Sequence, residues 1–404
     1  MRFKYVLSLV VLFLSIVNSF GQAATRWRGP QGNGIYPDKG LLKVWPADGP
    51  KIFWTFDELG QGHSSAIVVK DKVYVSGMLD NTGYIFQLSL NGELLWKKSY
   101  APEFYESYPG TRSTPVVAGN ELYQLSGRGQ LVCMNAADGE IKWRKDLFKD
   151  FDGKNIRWGI TQTMVVEGDR IYCTPGGKKH NIIALNRFTG DLIWTCPGKG
   201  EKTAYCTPLI FDHFGRKILV TMTERNIVGV DANTGNLLWS YPQTNRWSVH
   251  ANTPIYHNGS LFCFSGYGQG GVKLKLSQNG ESVKKEWFCS TMDNRIGGAV
   301  LVDGFIYGSG DQNRAWQCID WETGEQKYSS AKIGKGVVIY ADGMLYCYTE
   351  RGELALVKAD PSGFQLISKT KVVFGSEQHW AHPSIYNGVL YVRHGKSLIA
   401  YKIK

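Results

Sequence analysis

The sequence lacks an apolar run long enough to cross a membrane as a helix, which takes about 20 residues. Its longest apolar run, Tyr5–Val17, follows two basic residues and precedes a stretch of small residues. A basic start, a short apolar centre and small residues predict a secretory signal peptide over residues 1–23, cleaved near Gly21 or Ala23. We therefore expect a periplasmic or secreted protein with no transmembrane segment.

Paired cysteine motifs are also missing. The eight cysteines form no C-x-x-C pair, no adjacent pair and no C-x-x-C-H haem site. Cys173, Cys263 and Cys347 each follow an aromatic residue at similar points of the pattern described below, so they would lie far apart in a repeat fold. We predict buried thiols that pack as small apolar groups. Cys196 and Cys206 are the first pair to suspect if a disulfide forms.

Acidic residues are outnumbered by basic ones, with 35 Asp and Glu against 46 Lys and Arg, which gives a formal charge of +11. Loss of the signal peptide would leave about +9. A basic chain favours acidic partners, such as a uronate- or sulfate-bearing polysaccharide, an anionic small molecule or a membrane surface. We expect no nucleic-acid partner. With 43% hydrophobic and 20% charged residues, the composition excludes a mainly disordered chain.

One pattern repeats along the chain: an apolar run, a turn, a run centred on Tyr, a third run, a second turn and a Trp. The central residues lie 39 to 49 positions apart, at Tyr74, Tyr123, Tyr172, Leu219, Phe262, Tyr307, Tyr346 and Tyr391. Abundant glycine and aromatic residues suit short strands joined by tight turns. A period of about 45 residues with four strands predicts an all-β, eight-bladed β-propeller of four-stranded antiparallel blades.

The two ends of the chain each hold part of one repeat. Only 13 residues follow Tyr391, so the last blade lacks an outer strand. Residues 48–60 have the glycine and tryptophan of an outer strand, at Gly49 and Trp54, without the strands that should precede it. We predict that Ile52–Phe56 completes the last blade and closes the ring, which removes an exposed sheet edge. Residues 24–404 would then form one propeller domain, with 24–47 as a lead-in folded over one face.

The repeat unit resembles that of the PQQ-like, or quinoprotein, β-propeller family. The segments "VGVDANTGNLLW" (228–239) and "IIALNRFTGDLIW" (182–194) carry the resemblance, which covers nearly all of the mature chain. The family includes quinoprotein alcohol dehydrogenases, with eight blades around pyrroloquinoline quinone (PQQ), and non-catalytic scaffolds similar to the outer-membrane assembly protein BamB. It also includes small secreted proteins named as PQQ-binding quinoproteins, some of them encoded with polysaccharide-degradation systems.

Candidate binding residues lie before the first strand of each blade, because the loops entering the channel form one rim of a propeller. These segments hold four of the eight histidines, several cations and several large rings. Cations suit an anionic ligand, and rings suit a flat cofactor or a sugar face. The alternative is that these side chains only satisfy backbone groups of the loops. The candidates are His63, Arg112, Trp158, Tyr205, Trp247, His250, Arg295, Lys335, His379, Trp380 and His382.

The resemblance implies a carboxylate base, a calcium ion, a stacking Trp and an adjacent Cys pair for PQQ-dependent dehydrogenation. The adjacent Cys pair is missing, and Asp293 with Asn294 is the only rim pair of the calcium-ligand type. We therefore assign no catalytic residue and no metal site. Three functions remain open: binding of PQQ, with calcium; binding or processing of an acidic glycan, in which Tyr205, His250 and Arg295 could serve; and a non-catalytic scaffold for other envelope proteins.

Overall fold

The computed structural model describes residues 24–404, and the predicted signal peptide over residues 1–23 lies outside the described residues. The regular secondary structure of residues 24–404 consists of β-strands, with no α-helix in this part of the chain. No helix in this part of the chain has the length and apolarity needed to cross a membrane. Two strands precede the first complete blade, β1 (Ile35–Tyr36) and β2 (Lys51–Phe56).

The first four blades follow in chain order, each numbered from its inner to its outer strand. Blade 1 contains β3 (Ile67–Val69), β4 (Lys72–Leu79), β5 (Thr82–Ser89) and β6 (Leu94–Pro102). Blade 2 contains β7 (Val116–Ala118), β8 (Glu121–Leu125), β9 (Gln130–Asn135) and β10 (Ile141–Asp146). Blade 3 contains β11 (Val165–Glu167), β12 (Arg170–Cys173), β13 (Ile182–Asn186) and β14 (Leu192–Cys196). Blade 4 contains β15 (Leu209–His213), β16 (Arg216–Met222), β17 (Asn226–Asp231) and β18 (Leu237–Pro242).

The remaining blades complete the ring and confirm the predicted eight-bladed propeller. Blade 5 contains β19 (Ile255–His257), β20 (Ser260–Ser265), β21 (Gly270–Leu276) and β22 (Val283–Cys289). Blade 6 contains β23 (Ala299–Val302), β24 (Phe305–Ser309), β25 (Trp316–Asp320) and β26 (Gln326–Ser330). Blade 7 contains β27 (Gly336–Ala341), β28 (Met344–Thr349), β29 (Glu353–Lys358) and β30 (Gln365–Lys371). Blade 8 contains β31 (Ser384–Tyr386), β32 (Val389–His394) and β33 (Ser397–Lys402), and takes β2 as its outer strand.

The repeated glycine and tryptophan join neighbouring blades. Gly235 lies in the turn before β18 with a φ of +81°, and a Cβ at this position would lie 2.7 Å from the ring of Trp194 in the preceding blade. The indole of Trp194 donates a 3.1 Å hydrogen bond to the carbonyl of Ala232 in the same turn. Only glycine combines this backbone conformation with so close an approach. The repeat therefore encodes blade-to-blade packing.

The hydrophobic core lies between neighbouring blades. One buried cluster, for example, combines Val116 and Tyr123 of blade 2 with Ile171 and Ile183 of blade 3. All eight cysteines are buried and unpaired, as predicted for thiols that fill such clusters.

Ring closure occurs as predicted. Strand β2 pairs antiparallel with β33, from Lys51 opposite Lys402 to Phe56 opposite Leu398. Trp54 takes the role of the repeat tryptophan, because its indole donates a 2.7 Å hydrogen bond to the carbonyl of Leu90 in blade 1. Chain segments from both ends of the propeller thus share one sheet.

The lead-in over residues 24–47 crosses the central channel. Thr25 bonds to Val117 on the inner strand of blade 2, and β1 pairs parallel with β27 on the inner strand of blade 7. Between these points, Arg28 donates a hydrogen bond to the carbonyl of Ala299 on β23. Contacts with the inner strands of three blades place the lead-in inside the ring. It closes the channel from the side opposite the loops that lead into the inner strands.

Candidate functional site at the channel mouth

A cavity of about 200 Å³ lies above the lead-in, at the mouth of the channel. Seven of the eleven predicted binding residues line it: His63, Arg112, Trp158, Tyr205, Arg295, Trp380 and His382. The structure therefore brings together residues up to 319 positions apart in the sequence. Trp27 of the lead-in also lines the cavity, with Tyr108, Tyr267 and three threonines, Thr161, Thr163 and Thr207.

Hydrogen bonds between neighbouring blades hold the leading loops in place. The Thr114 hydroxyl accepts a 3.0 Å bond from the backbone N–H of Ser65, the Thr163 hydroxyl accepts one of 3.2 Å from Thr114, and the Thr207 hydroxyl accepts one of 2.9 Å from Thr163. These residues occupy equivalent positions in blades 1 to 4. The ladder ties each leading loop to the next, so the side chains beside it converge on one cavity.

Three tyrosines reach the cavity from backbone positions that bulky residues rarely adopt. Tyr108, Tyr205 and Tyr267 have φ angles of 49°, 73° and 61°. Such conformations cost about 1–3 kcal/mol each, and they cluster at functional sites. Tyr205 is further held by its neighbours, since its hydroxyl accepts a 3.4 Å bond from the backbone N–H of Trp158 and its carbonyl accepts a 3.0 Å bond from Thr161.

The two arginines of the cavity have unequal electrostatic surroundings. Arg112 donates to the carbonyls of Ser107, Tyr108 and Gly110, at 2.7–3.0 Å, and forms no ion pair within residues 24–404. Burial lowers its pKa to about 10, so its guanidinium stays charged at neutral pH. Arg112 is thus a cation without a carboxylate partner in the described part of the chain.

Arg295, in contrast, is already neutralised. Its guanidinium forms ion pairs with Asp311 at 3.2 Å and with Glu350 at 3.1 Å. Lys335 joins the same two carboxylates, and its ammonium group lies 3.4 Å from Glu350. This side of the cavity therefore carries two cations and two anions in one network, whereas the Arg112 side keeps an excess positive charge.

The two histidines of the cavity remain uncharged at neutral pH. Burial, helped by the charges of Arg112 and Arg393, lowers the pKa of His63 to about 3, and burial also holds the pKa of His382 well below its usual value. No ring nitrogen of either residue has a hydrogen-bond partner within residues 24–404. An indole packs against each imidazole, Trp380 at 5.0 Å from His63 and Trp27 at 4.8 Å from His382, measured between ring centres.

Two of the predicted histidines do not line the cavity. His250 is fully buried, and its Nε2 lies 3.2 Å from the carbonyl of Glu224. His379 stacks on His394 with 3.6 Å between ring centres, and its Nδ1 is hydrogen-bonded to the hydroxyl of Tyr348. Both were predicted to face the channel mouth, but the structure places neither side chain on the cavity, because His250 contacts a hairpin of blade 4 and His379 contacts Tyr348 and His394 of blades 7 and 8.

Two further candidates lie close to the cavity without lining it. Lys335 is held by Asp311 and Glu350, so its ammonium group does not face the cavity as a free cation. Trp247 lies beside Trp158, with 6.1 Å between the ring centres.

The carboxylates at the mouth were not among the predicted residues, because the prediction considered only the leading loops. Asp311 lies in "SGDQNRA" (309–315) and Glu350 in "TERG" (349–352), the hairpins that join the second and third strands of blades 6 and 7. In an antiparallel blade these hairpins lie on the same face as the leading loops. The charged residues of these hairpins, and Tyr267 in the corresponding hairpin of blade 5, could therefore have been predicted to lie at the mouth of the channel.

The donor groups present do not fit a calcium ion with PQQ. Among residues 24–404, no three His, Cys, Asp or Glu side chains gather as a metal site requires. The carboxylate of Asp293 accepts backbone N–H groups from Gly268 at 2.9 Å and Asp311 at 2.6 Å. The amide of Asn294 donates to the carbonyl of Gly336 at 2.7 Å. This pair, the one calcium-type pair in the leading loops, is thus used to hold loops together.

Comparison with known proteins gives one family match and two informative kinds of relative. A family model described as outer membrane protein assembly factor BamB matches residues 78–330. BamB of Kangiella koreensis is 29% identical over 139 residues, which are 33% of this chain and 32% of the relative. The matched segment thus spans about a third of that relative's length.

The likeness in structure extends over most of the chain. The crystal structure of BamB from Moraxella catarrhalis matches with a TM-score of 0.61 and 12% identity, covering 87% of this chain and 99% of that one. A europium-containing methanol dehydrogenase matches with a TM-score of 0.69 and 14% identity, covering 93% and 90%. At these identities the likeness shows a common fold, shared by an assembly factor and by an enzyme.

Proposed function

The chain belongs to the family of the outer membrane protein assembly factor BamB, a family of PQQ-like repeat propellers, and from this premise we propose that its channel mouth binds one ring of an acidic sugar. The observation that carries the proposal is Arg112, a half-buried cation without a carboxylate partner in residues 24–404, in a cavity walled by aromatic rings. A carboxylate of the ligand would supply the missing partner.

The size of the cavity supports a ligand of one ring. A protein cavity of about 150 Å³ holds a benzene molecule, so the cavity of about 200 Å³ suits a six-membered ring with its substituents. PQQ has three fused rings and three carboxylates, and Arg112 is the cation of the cavity that lacks an ion pair within the described residues. An acidic monosaccharide unit therefore fits better than PQQ.

The chemistry of the walls also suits a sugar. Indole and phenol rings pack against the C–H faces of a sugar. The hydroxyls of Tyr108, Tyr267 and Thr161 offer donors and acceptors to sugar hydroxyls. The imidazoles of His63 and His382 line the cavity and are neutral, so they add no charge to it. The proposal concerns binding, and no reaction is assigned.

Calorimetric titration of the mature protein tests the proposal. Galacturonate is expected to bind, and galactose, its neutral counterpart, to bind at least tenfold more weakly. PQQ, added with and without calcium, serves as the competing ligand and is expected to bind less tightly than the acidic sugar. Absence of binding by both sugars, or tight binding of PQQ alone, would overturn the proposal.

We also propose that the protein is exported to the cell envelope and acts there in polysaccharide degradation. The predicted signal peptide, together with relatives described as outer membrane protein assembly factors, supports export to the cell envelope. An acidic sugar ligand there suits a role in polysaccharide degradation. Cell fractionation, with N-terminal sequencing of the mature chain, tests the location, and a first residue near Gln22 or Ala24 is expected.

A scaffold that binds envelope proteins is the second candidate function. Apolar side chains on the outer strands of neighbouring blades are exposed: Phe53 of β2 by 37%, and Leu94 and Leu95 of β6 by 42% and 43%. Exposed apolar groups of this kind favour a protein partner. Photo-crosslinking from Phe53 or Leu95 in living cells, with Lys327 of β26 as the control position, should capture identified outer membrane proteins if this function is correct.

A further inference from the structure

A second cationic and aromatic group lies beside the cavity. Trp158 lines the cavity, and Trp247 lies nearly edge-on to it, with 67° between the ring planes. The guanidinium of Arg157 lies 4.7 Å from the centre of the Trp247 ring and 5.2 Å from that of Trp158. The guanidinium of Arg246 lies 4.8 Å from the Trp247 ring. We call Arg157, Arg246 and Trp247 the rim ledge.

The arginines of the rim ledge are available to a ligand. Both side chains are exposed, and neither forms an ion pair within residues 24–404. Stacking on an indole holds a guanidinium by its face and leaves its N–H groups free for a carboxylate. The rim ledge therefore presents two positioned cations next to a cavity that has room for only one ring.

The part of the mouth formed by blades 6 and 7 differs in charge. There Asp311 and Glu350 neutralise Arg295 and Lys335, and leave no excess positive charge for an anion. An acidic chain that leaves the cavity past Arg295 meets these carboxylates, whereas one that leaves past Trp158 meets the rim ledge. Electrostatics therefore favours a path over Trp158 and onto the rim ledge.

We propose that the protein binds an acidic oligosaccharide whose terminal ring occupies the cavity and whose next one or two residues place their carboxylates on the rim ledge. This inference rests on the proposed function, and it adds that the ligand is a chain and that affinity depends on chain length. Exposed pairs of opposite charge contribute little singly, but two arginines that engage one tethered ligand are expected to raise affinity about tenfold.

Titration with galacturonate and with its di-, tri- and tetrasaccharides tests the inference. In the wild type, the trisaccharide should bind about tenfold more tightly than the monosaccharide. In the double variant Arg157→Gln/Arg246→Gln, this gain should be lost while monosaccharide affinity stays the same. The matched control is Lys284→Gln/Lys285→Gln, which removes the same charge from the exposed outer strand β22 and should keep the gain.

Each outcome separates the two ideas. If the monosaccharide binds and longer chains bind no more tightly, the rim ledge is refuted while the cavity site stands. A gain that survives in the arginine variant, or that disappears equally in the lysine control, also refutes it. Failure of every acidic sugar to bind overturns both ideas. Single-stranded DNA of similar charge is included, and a ledge-dependent affinity equal to that of the trisaccharide would refute the assignment to sugars.

Discussion

Arg112 is the residue whose replacement should most reduce affinity for an acidic sugar. Its side chain lines the cavity, and its guanidinium has no carboxylate partner in the described part of the chain. A charge-assisted hydrogen bond shielded from water contributes about 1.5–3 kcal/mol. At about 1.4 kcal/mol per factor of ten, Arg112→Gln should weaken galacturonate binding about 10- to 150-fold.

The replacement also removes bonds that hold the loop around Tyr108, since Arg112 donates to three carbonyls there. A loss of loop structure would reduce the affinity for acidic and neutral sugars alike. Galactose is therefore titrated in parallel, and thermal melting is measured for each variant. Only a loss confined to galacturonate reports the missing charge.

Arg295→Gln is the matched control, because it removes a guanidinium from the same cavity. Asp311 and Glu350 already neutralise Arg295, so we expect galacturonate affinity to fall no more than about threefold. If both variants lose affinity equally, or if galactose binding falls by the same factor as galacturonate binding in Arg112→Gln, the argument from unequal ion pairing is wrong.

Three further predictions concern the fold and its pH dependence. Deletion of residues 50–59 removes β2 and exposes the edge of β33, so aggregation by light scattering and a lower melting temperature are expected, and unchanged melting would contradict the closure argument. Thiol titration should find eight free cysteines after unfolding without reductant and almost none in the native protein, whereas six or fewer after unfolding would indicate a disulfide. Burial raises the pKa of Glu103 from 4.5 to about 7. The contribution of its protonated form to stability is therefore fully present below pH 4.5 and is lost as the pH rises through 7, which lowers the free energy of unfolding by about 3 kcal/mol at most. Urea unfolding of Glu103→Gln from pH 4 to 8 should lack this decline, and identical pH profiles for variant and wild type would refute the assignment.

The fold was predictable because its main contacts repeat with the sequence. Five of the repeat glycines pack on the tryptophan of the preceding blade, as Gly235 does on Trp194, so one local pattern specifies both the blade and its neighbour. Ring closure was predictable for a related reason, since the outer strand missing after Tyr391 reappears around Trp54. Such contacts depend on residue type and spacing, which a sequence shows directly.

The site was only partly predictable, because position in a loop does not determine where a side chain points. His250 and His382 both precede inner strands, yet the first is buried against the hairpin that contains Glu224 and the second lines the cavity. Tyr205 lines the cavity from a backbone position with a positive φ angle, and nothing in the spacing of the repeat indicates such an angle. The ion pair that neutralises Arg295 likewise comes from a hairpin residue, Asp311 of the same blade, which the leading loops do not show.

The lead-in explains why the cavity has a floor, a feature that the repeat pattern alone cannot supply. A propeller built only from equivalent blades has a channel open at both ends, whereas Trp27 and Arg28 fill this one from below. The same segment continues into β2, which closes the ring. The floor of the candidate site and the strand that completes blade 8 are therefore parts of one continuous stretch of about 30 residues. Because the lead-in is joined directly to β2, closure of the ring also positions the lead-in in the channel. Within the described residues, the cavity therefore opens only on the face where Arg112 and the rim ledge lie.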